Sequence, residues 1–256
     1  MKKWTGWVTQ VLVMALAVTT PTSAQGVTDH MAAGDRLFVA RDALGALREY
    51  ELAIAASPLN YDALCKASRS AVDLGEFEPD AVARTAFFTR GRTHAQAAVS
   101  VNPRGADGHF VLAEATGRAA MAVSSRERIN YGKIVRSEAL AALAIAPEHP
   151  GALHIMGMWN AEVMRLPAFL RFIARTFLGG EVFSEASWDQ AERYLVRAVA
   201  AEPNRIVHHL DLGRVLRDRG NTAGARAQFD WIARAATTDF NDPHYKLQAS
   251  AERRKL

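Results

Sequence analysis

Residues 27–60 read VTDHMAAGDRLFVARDALGALREYELAIAASPLN, and this stretch decides the fold. Small residues stand at its eighth and twentieth places, Gly34 and Ala46. Tyr50 follows, then Ala53, and Pro58 comes near the end. Two helices fit this order. Gly34 and Ala46 let them approach closely and Tyr50 fills the groove between them. Pro58, which lacks an N–H and blocks the preceding turn, ends the second helix.

Pro103, Pro147 and Pro203 close three further stretches, each after a phrase like that before Pro58: AIAASP, AAVSVNP, ALAIAP and AVAAEP. A count restarted three residues after each proline puts Ser68, Ala113, Gly157 and Gly213 at the place of Gly34. The last unit also has Leu212, Gly220, Ala225 and Phe229 in register, and Ala191 and Ala198 fall in theirs before Pro203. A unit of about 34 residues with this skeleton is that of a tetratricopeptide repeat. The prolines are spaced by 45, 44 and 56 residues. An excess of 10 or 11 residues is about three helical turns, so it lengthens a helix pair without rotating its apolar face. The excess of 22 is punctuated by Pro167 and Gly179–Gly180. The reading is all-α: a right-handed superhelical solenoid of about five helix pairs over residues 25–256. A polar helix at 241–254 caps its last apolar face.

Composition agrees. Of 256 residues 48 are alanine, the residue that costs a helix least, and 49% are hydrophobic. Lys2 and Lys3 precede an apolar run over Trp7–Val18, and Pro21 and small residues lead to Ala24. This pattern predicts a secretory signal peptide over residues 1–24, with a retained anchor as the alternative. Its loss removes two lysines and no acid, so the net charge falls from +4 to +2 and the case for nucleic-acid binding falls with it. The expected compartment is the periplasm. Cys65 is the single cysteine, which excludes an internal disulfide.

Motifs for catalysis, phosphate loops, metal or cofactor binding are missing from the sequence, so no catalytic residue, no metal ligand and no cofactor is expected. The adjacent His208 and His209 point about 100° apart on a helix and cannot share a metal. They read as one core-facing and one exposed residue. Glu76, Glu78 and Asp80 read as a solvated corner.

Such a solenoid binds through the concave face lined by the first helix of each unit. The candidate groove residues are Met31, Asp35, Phe38, Arg69, Phe110, Glu114, His154, Met158, Leu210, Arg214 and Arg217. Arg214 and Arg217 form either a basic end able to hold a carboxylate or phosphate, or pairs with Asp211 and Asp218. The segment Phe169–Phe183 is apolar with interspersed arginines, the pattern of a helix docking on a membrane surface, on a partner or on its own protein.

The phrase LHIMGMWNAEVMRLPAFLRFIARTFLGG (153–180) resembles the regulator of microtubule dynamics protein family, through His154, Met156, Gly157, Trp159, Pro167, Arg171, Ile173, Ala174 and Phe177. SSRERINYGKIVRSEALAALAIAP (124–147) is similar to the family segment leading into its alanine-rich helix. SWDQAERYLVRAVAAEP (187–203) matches the unit-closing segment through Trp188, Ala191, Tyr194, Leu195, Ala198 and Pro203. The resemblance implies a non-catalytic, tetratricopeptide-like solenoid that works by binding, with Gly157, Trp159, Pro167, Ala191, Ala198 and Pro203 in structural roles. Animal members associate with microtubules or organelle membranes, and some hold lipid. Here an export signal opens the chain, so the fold carries over and the partner differs. The expected function is a scaffold for a partner protein or peptide; the alternative is a carrier of a phospholipid or other apolar anion in the same groove.

Overall fold

The computed structural model describes residues 23–120, 123–169, 171 and 181–256. Among them run eleven α-helices: α1 (Ser23–Val39), α2 (Ala43–Ala56), α3 (Tyr61–Glu76), α4 (Ala81–Val101), α5 (Ala106–Ala119), α6 (Ser125–Ile145), α7 (Pro150–Arg165), α8 (Trp188–Ala201), α9 (Ile206–Asp218), α10 (Thr222–Arg234) and α11 (Asp242–Arg253). One short 3₁₀ turn, Glu181–Glu185, precedes α8. The expected signal segment lies outside the described residues as far as residue 22, and Ser23 and Ala24 open α1.

Caps set the helix starts. Asp42, Asn60 and Asp80 each accept a hydrogen bond from the backbone N–H three residues on, which satisfies a donor the helix leaves free. Ser124 and Glu127 form a reciprocal capping box on α6. His149 caps α7 through Nδ1. Pro150 occupies the first turn, where no N–H is missed.

Successive helices pair antiparallel, from α1 with α2 to α9 with α10. The first helices of neighbouring pairs then pack in a row, α3–α5–α7–α9–α11, so the fold has an inner layer and an outer layer. Inside each pair a small residue faces a large one. A Cβ on Gly34 would lie 2.5 Å from Tyr50 Cε1, and one on Gly213 2.6 Å from Phe229 Cε1. Ala46, Ala53, Ala191, Ala198 and Ala225 are fully buried, as the repeat count expected.

The extra length of units two and three goes into one helix of each pair. α4 and α6 have 21 residues against 14 in α2 and α8, whereas α3 and α5 keep 16 and 14. In the fourth unit, Trp159 donates through Nε1 to Gly132 O at 2.8 Å and stacks on Phe183 at 5.6 Å. Phe183 and Val182 therefore pack on their own protein, while Phe169 is exposed and residues 172–180 lie outside the described part. Among the described residues no helix is long and apolar enough to cross a membrane.

The capping helix α11 lays Tyr245 and Ala249 on Phe229 and Ile232, as expected. It also reaches back across the inner face to α3. Asn241 Nδ2 donates to Asp73 O at 3.0 Å, Tyr245 OH donates to Glu76 Oε2 at 2.7 Å, and Phe77 stacks on His244 at 4.3 Å. The superhelix is thus bridged by its own C-terminal segment.

Candidate functional site: the inner face

The inner face carries a network of charged side chains. Arg69 and Asp73 of α3, Glu114 and Arg118 of α5, His154 of α7 and Asp211 and Arg214 of α9 converge on Asp239, Tyr245 and Glu252 of the C-terminal segment. Asp239 takes an ion pair from Arg205 and a longer one, 3.7 Å, from Arg69. Arg118 meets Glu76 at 2.7 Å. Arg214 bonds Asp211 at 3.0 Å and Gln248 at 2.8 Å.

The expected groove residues divide into two groups. Arg69, Glu114, His154, Arg214 and Arg217 belong to this network. Arg217 pairs with Asp218 at 2.8 Å and with Glu252. The basic end read from Arg214 and Arg217 is therefore neutralised: the pairs with Asp211 and Asp218 are the alternative that holds. The rest are engaged in packing. Leu210 is fully buried between repeats and Met158 packs against the same cluster. Phe110 fills the space beside Gly151 and leans on His149 at 4.9 Å. Met31 packs on the first pair, and Asp35 accepts from Tyr50 OH at 2.9 Å and Lys66 Nζ at 2.6 Å. Phe38 lies under the Arg69 guanidinium at 5.2 Å.

Two sequence readings need correction. Glu76 is not part of a solvated corner; its carboxylate is held by Arg118 and Tyr245. His208 and His209 are both buried, on different sides of α9. His209 stacks on Trp231 at 3.6 Å and bonds Gln228 Oε1 at 2.7 Å and Pro203 O at 2.9 Å. Its counterpart one hundred residues earlier, His109, bonds Pro103 O at 2.9 Å in the same way. Among the described residues no group of three has metal-binding geometry.

Burial shapes the acidity of this face. It pushes Glu114 up despite the opposing pull of Arg69, Arg118 and Arg205. It raises Asp73 well above the ordinary carboxylate range, with repulsion from Asp239 adding to it. Asp211 goes the other way: burial alone raises it, but the bond from His154 and the charge of Arg214 outweigh that and hold it low. The Cys65 thiol is pushed up to about 12 by burial, the opposite of an activated nucleophile.

Asp73, Arg118, Tyr245 and Asp239 were not among the residues read from the sequence, and Glu76 was read only as part of a corner. A signal existed for two of them: Asp73 and Arg118 stand four residues beyond Arg69 and Glu114, hence on the same helix face. Tyr245 and Asp239 had none, since only the closure of the superhelix brings them there.

Comparison with known proteins agrees with this architecture. The chain is similar to TTC0263, a thermophilic TPR protein of Thermus thermophilus, with a TM-score of 0.63 at 20% identity over 88% of this chain and 99% of that one. It also aligns with YrrB, described as a TPR protein with an unusual peptide-binding site, at a TM-score of only 0.44 and 12% identity over 92% of this chain and 99% of that one. No curated protein matches the sequence. The family model for regulator of microtubule dynamics protein 1-3 covers residues 30–256, more than half of the sequence. With repeat skeleton, helix pairing and family pattern in agreement, this tetratricopeptide-like chain belongs to the regulator of microtubule dynamics protein 1-3 family.

Proposed function

We propose that this protein is an exported, non-catalytic scaffold whose inner face binds a helical segment of a partner protein. The observation that carries the reading is the resident C-terminal segment. Asp239, Asn241, Tyr245 and Glu252 already engage Arg205, the carbonyl of Asp73, Glu76 and Arg217. The inner face is thus complementary to a short segment mixing acidic, amide and aromatic side chains, and a partner carrying that chemistry competes with α11 for it. Export rests on the charged, apolar and small-residue regions of residues 1–24. The lipid-carrier alternative is less well supported, because its basic end is occupied by carboxylates.

The test uses a fluorescent peptide of residues 236–256 and protein carrying Asn241→Ala and Tyr245→Ala, which loosen the resident segment. Saturable anisotropy, abolished by adding Arg205→Ala, which removes the partner of Asp239, supports the proposal. A peptide that never binds, or binds equally without Arg205, refutes it. N-terminal sequencing of the protein recovered from its host checks export: a start at Gln25 is expected, and an intact Met1 counts against it.

A further inference from the structure

The long second helices α4 and α6 create a feature on the outer side of the fold. Between them, above Ala119 at the end of α5, lies a cleft of about 150 Å³. Phe88 of α4 and Tyr131 of α6 give it aromatic walls, and Thr89, Arg92 and Gln96 add polar groups. The volume is close to that of cavities that accept a benzene-sized molecule.

Arg92 sets the chemistry. Its Nη1 donates to Tyr131 OH at 2.9 Å, and its Cζ stands 4.8 Å from the centre of that ring. Its Nε is shut off from solvent and has no hydrogen-bond partner among the described residues. The guanidinium groups of Arg69, Arg118, Arg165, Arg205 and Arg214 each meet a carboxylate. Arg92 has no ion pair with a described carboxylate, although it too is partly buried. An arginine stays charged whatever its surroundings, and its planar fork matches a carboxylate. Among the described residues that line the cleft Arg92 is the one cation, which suits a monoanion, and nearby Arg128 is turned to the carbonyls of Ala120 and Val123.

We infer that the α4–α6 cleft is a binding site for a small monocarboxylate with an apolar body about one ring in size. The carboxylate takes the terminal guanidinium N–H groups that Tyr131 leaves unused, since Nε is shut off from solvent, and the body lies between Phe88 and Tyr131. This site is separate from the inner face, so either reading can fail without the other.

The test is an NMR titration of the full-length protein with benzoate and with benzamide, which has the same shape and no charge. Benzoate is expected to give saturable shifts at Arg92 and Tyr131, and benzamide to bind at least about tenfold more weakly. Arg92→Gln should remove the benzoate response, and Arg92→Lys, which keeps the charge but loses the fork, should weaken it. No saturable response to benzoate, an equal response to benzamide, or an unchanged response in folded Arg92→Gln overturns the inference. The benzoate–benzamide comparison needs no variant, so a misfolded substitution does not leave the question open.

Discussion

The Nδ1 atoms of His154 and His208 lie 2.8 Å apart across the seam between α7 and α9. One proton fits between them, so one ring donates and the other accepts. His154 Nε2 stands 3.2 Å from Asp211 Oδ2, and His208 Nε2 stands 3.4 Å from Glu202 Oε2. A carboxylate thus stands near each end, but with both rings neutral only one Nε2 carries a proton, and His208 Nε2 makes no hydrogen bond among the described residues.

Burial lowers the pKa of His208 to about 4; the nearby Glu202 carboxylate opposes this and repulsion from His154 adds to it. A depressed value means that the unfolded chain binds the proton more tightly. The stability is therefore present above the ordinary histidine value and is lost as pH falls toward 4. Relative to His208→Gln, the wild type should lose about 3 kcal/mol between pH 7 and pH 4, read by urea denaturation at each pH. A constant difference between the two proteins across that range would contradict the account.

Asp73 is buried and its Oδ2 has no partner among the described residues. Its raised pKa means the folded state holds the proton more tightly, so its charge costs stability at neutral pH and the cost fades as pH falls. Asp73→Asn should stabilise the fold by about 1 kcal/mol at pH 7 and by less at pH 5. A loss of stability at pH 7 would show instead that attraction to Arg69 and Arg205 dominates.

Phe229 occupies the space that a side chain at position 213 would need. Gly213→Ala should cost about 1–3 kcal/mol in a thermal melt, through overpacking. Phe229→Leu costs stability alone but should recover part of the Gly213→Ala loss in the double variant. Strict additivity of the two changes would rule out the close contact as the cause.

Arg41 has φ 65°, the left-handed region that a Cβ disfavours, and the matching turn of the last unit carries Gly220 at φ 80°. Both turns close with the same bond, Asp42 N to Leu37 O and Asn221 N to Leu216 O, each 2.9 Å. Arg41→Gly should raise stability by about 0.5–1 kcal/mol, because relief of strain exceeds the entropy glycine adds to the unfolded chain. An unchanged or lower melting temperature would mean that the turn holds no strain.

Most of the fold was legible because its determinants are local. Gly34 meets Tyr50 and Gly213 meets Phe229 within one unit, so a count of residues finds both. The site was legible only in part. Helical periodicity placed Arg69, Glu114 and Arg214 on the inner face and offered Asp211 as one of two readings for Arg214, yet it could not say that Asp239 and Asp73 stand beside the other two. For Leu210 the position in the unit suggested a groove, and packing of α9 against its neighbours buries it.

By itself the sequence determined the helix ends, through Asp42, Asn60, Asp80 and the prolines. It also determined the pairing of helices, through small residues opposed to large ones. Both act over one unit, within reach of the chain's own turns. Tertiary structure alone decided which charges are compensated and what covers the inner face. Tyr245 and Glu76 are 169 residues apart and meet because small rotations between successive pairs accumulate until α11 faces α3. That sum depends on how every pair packs on the next, and no single unit encodes it.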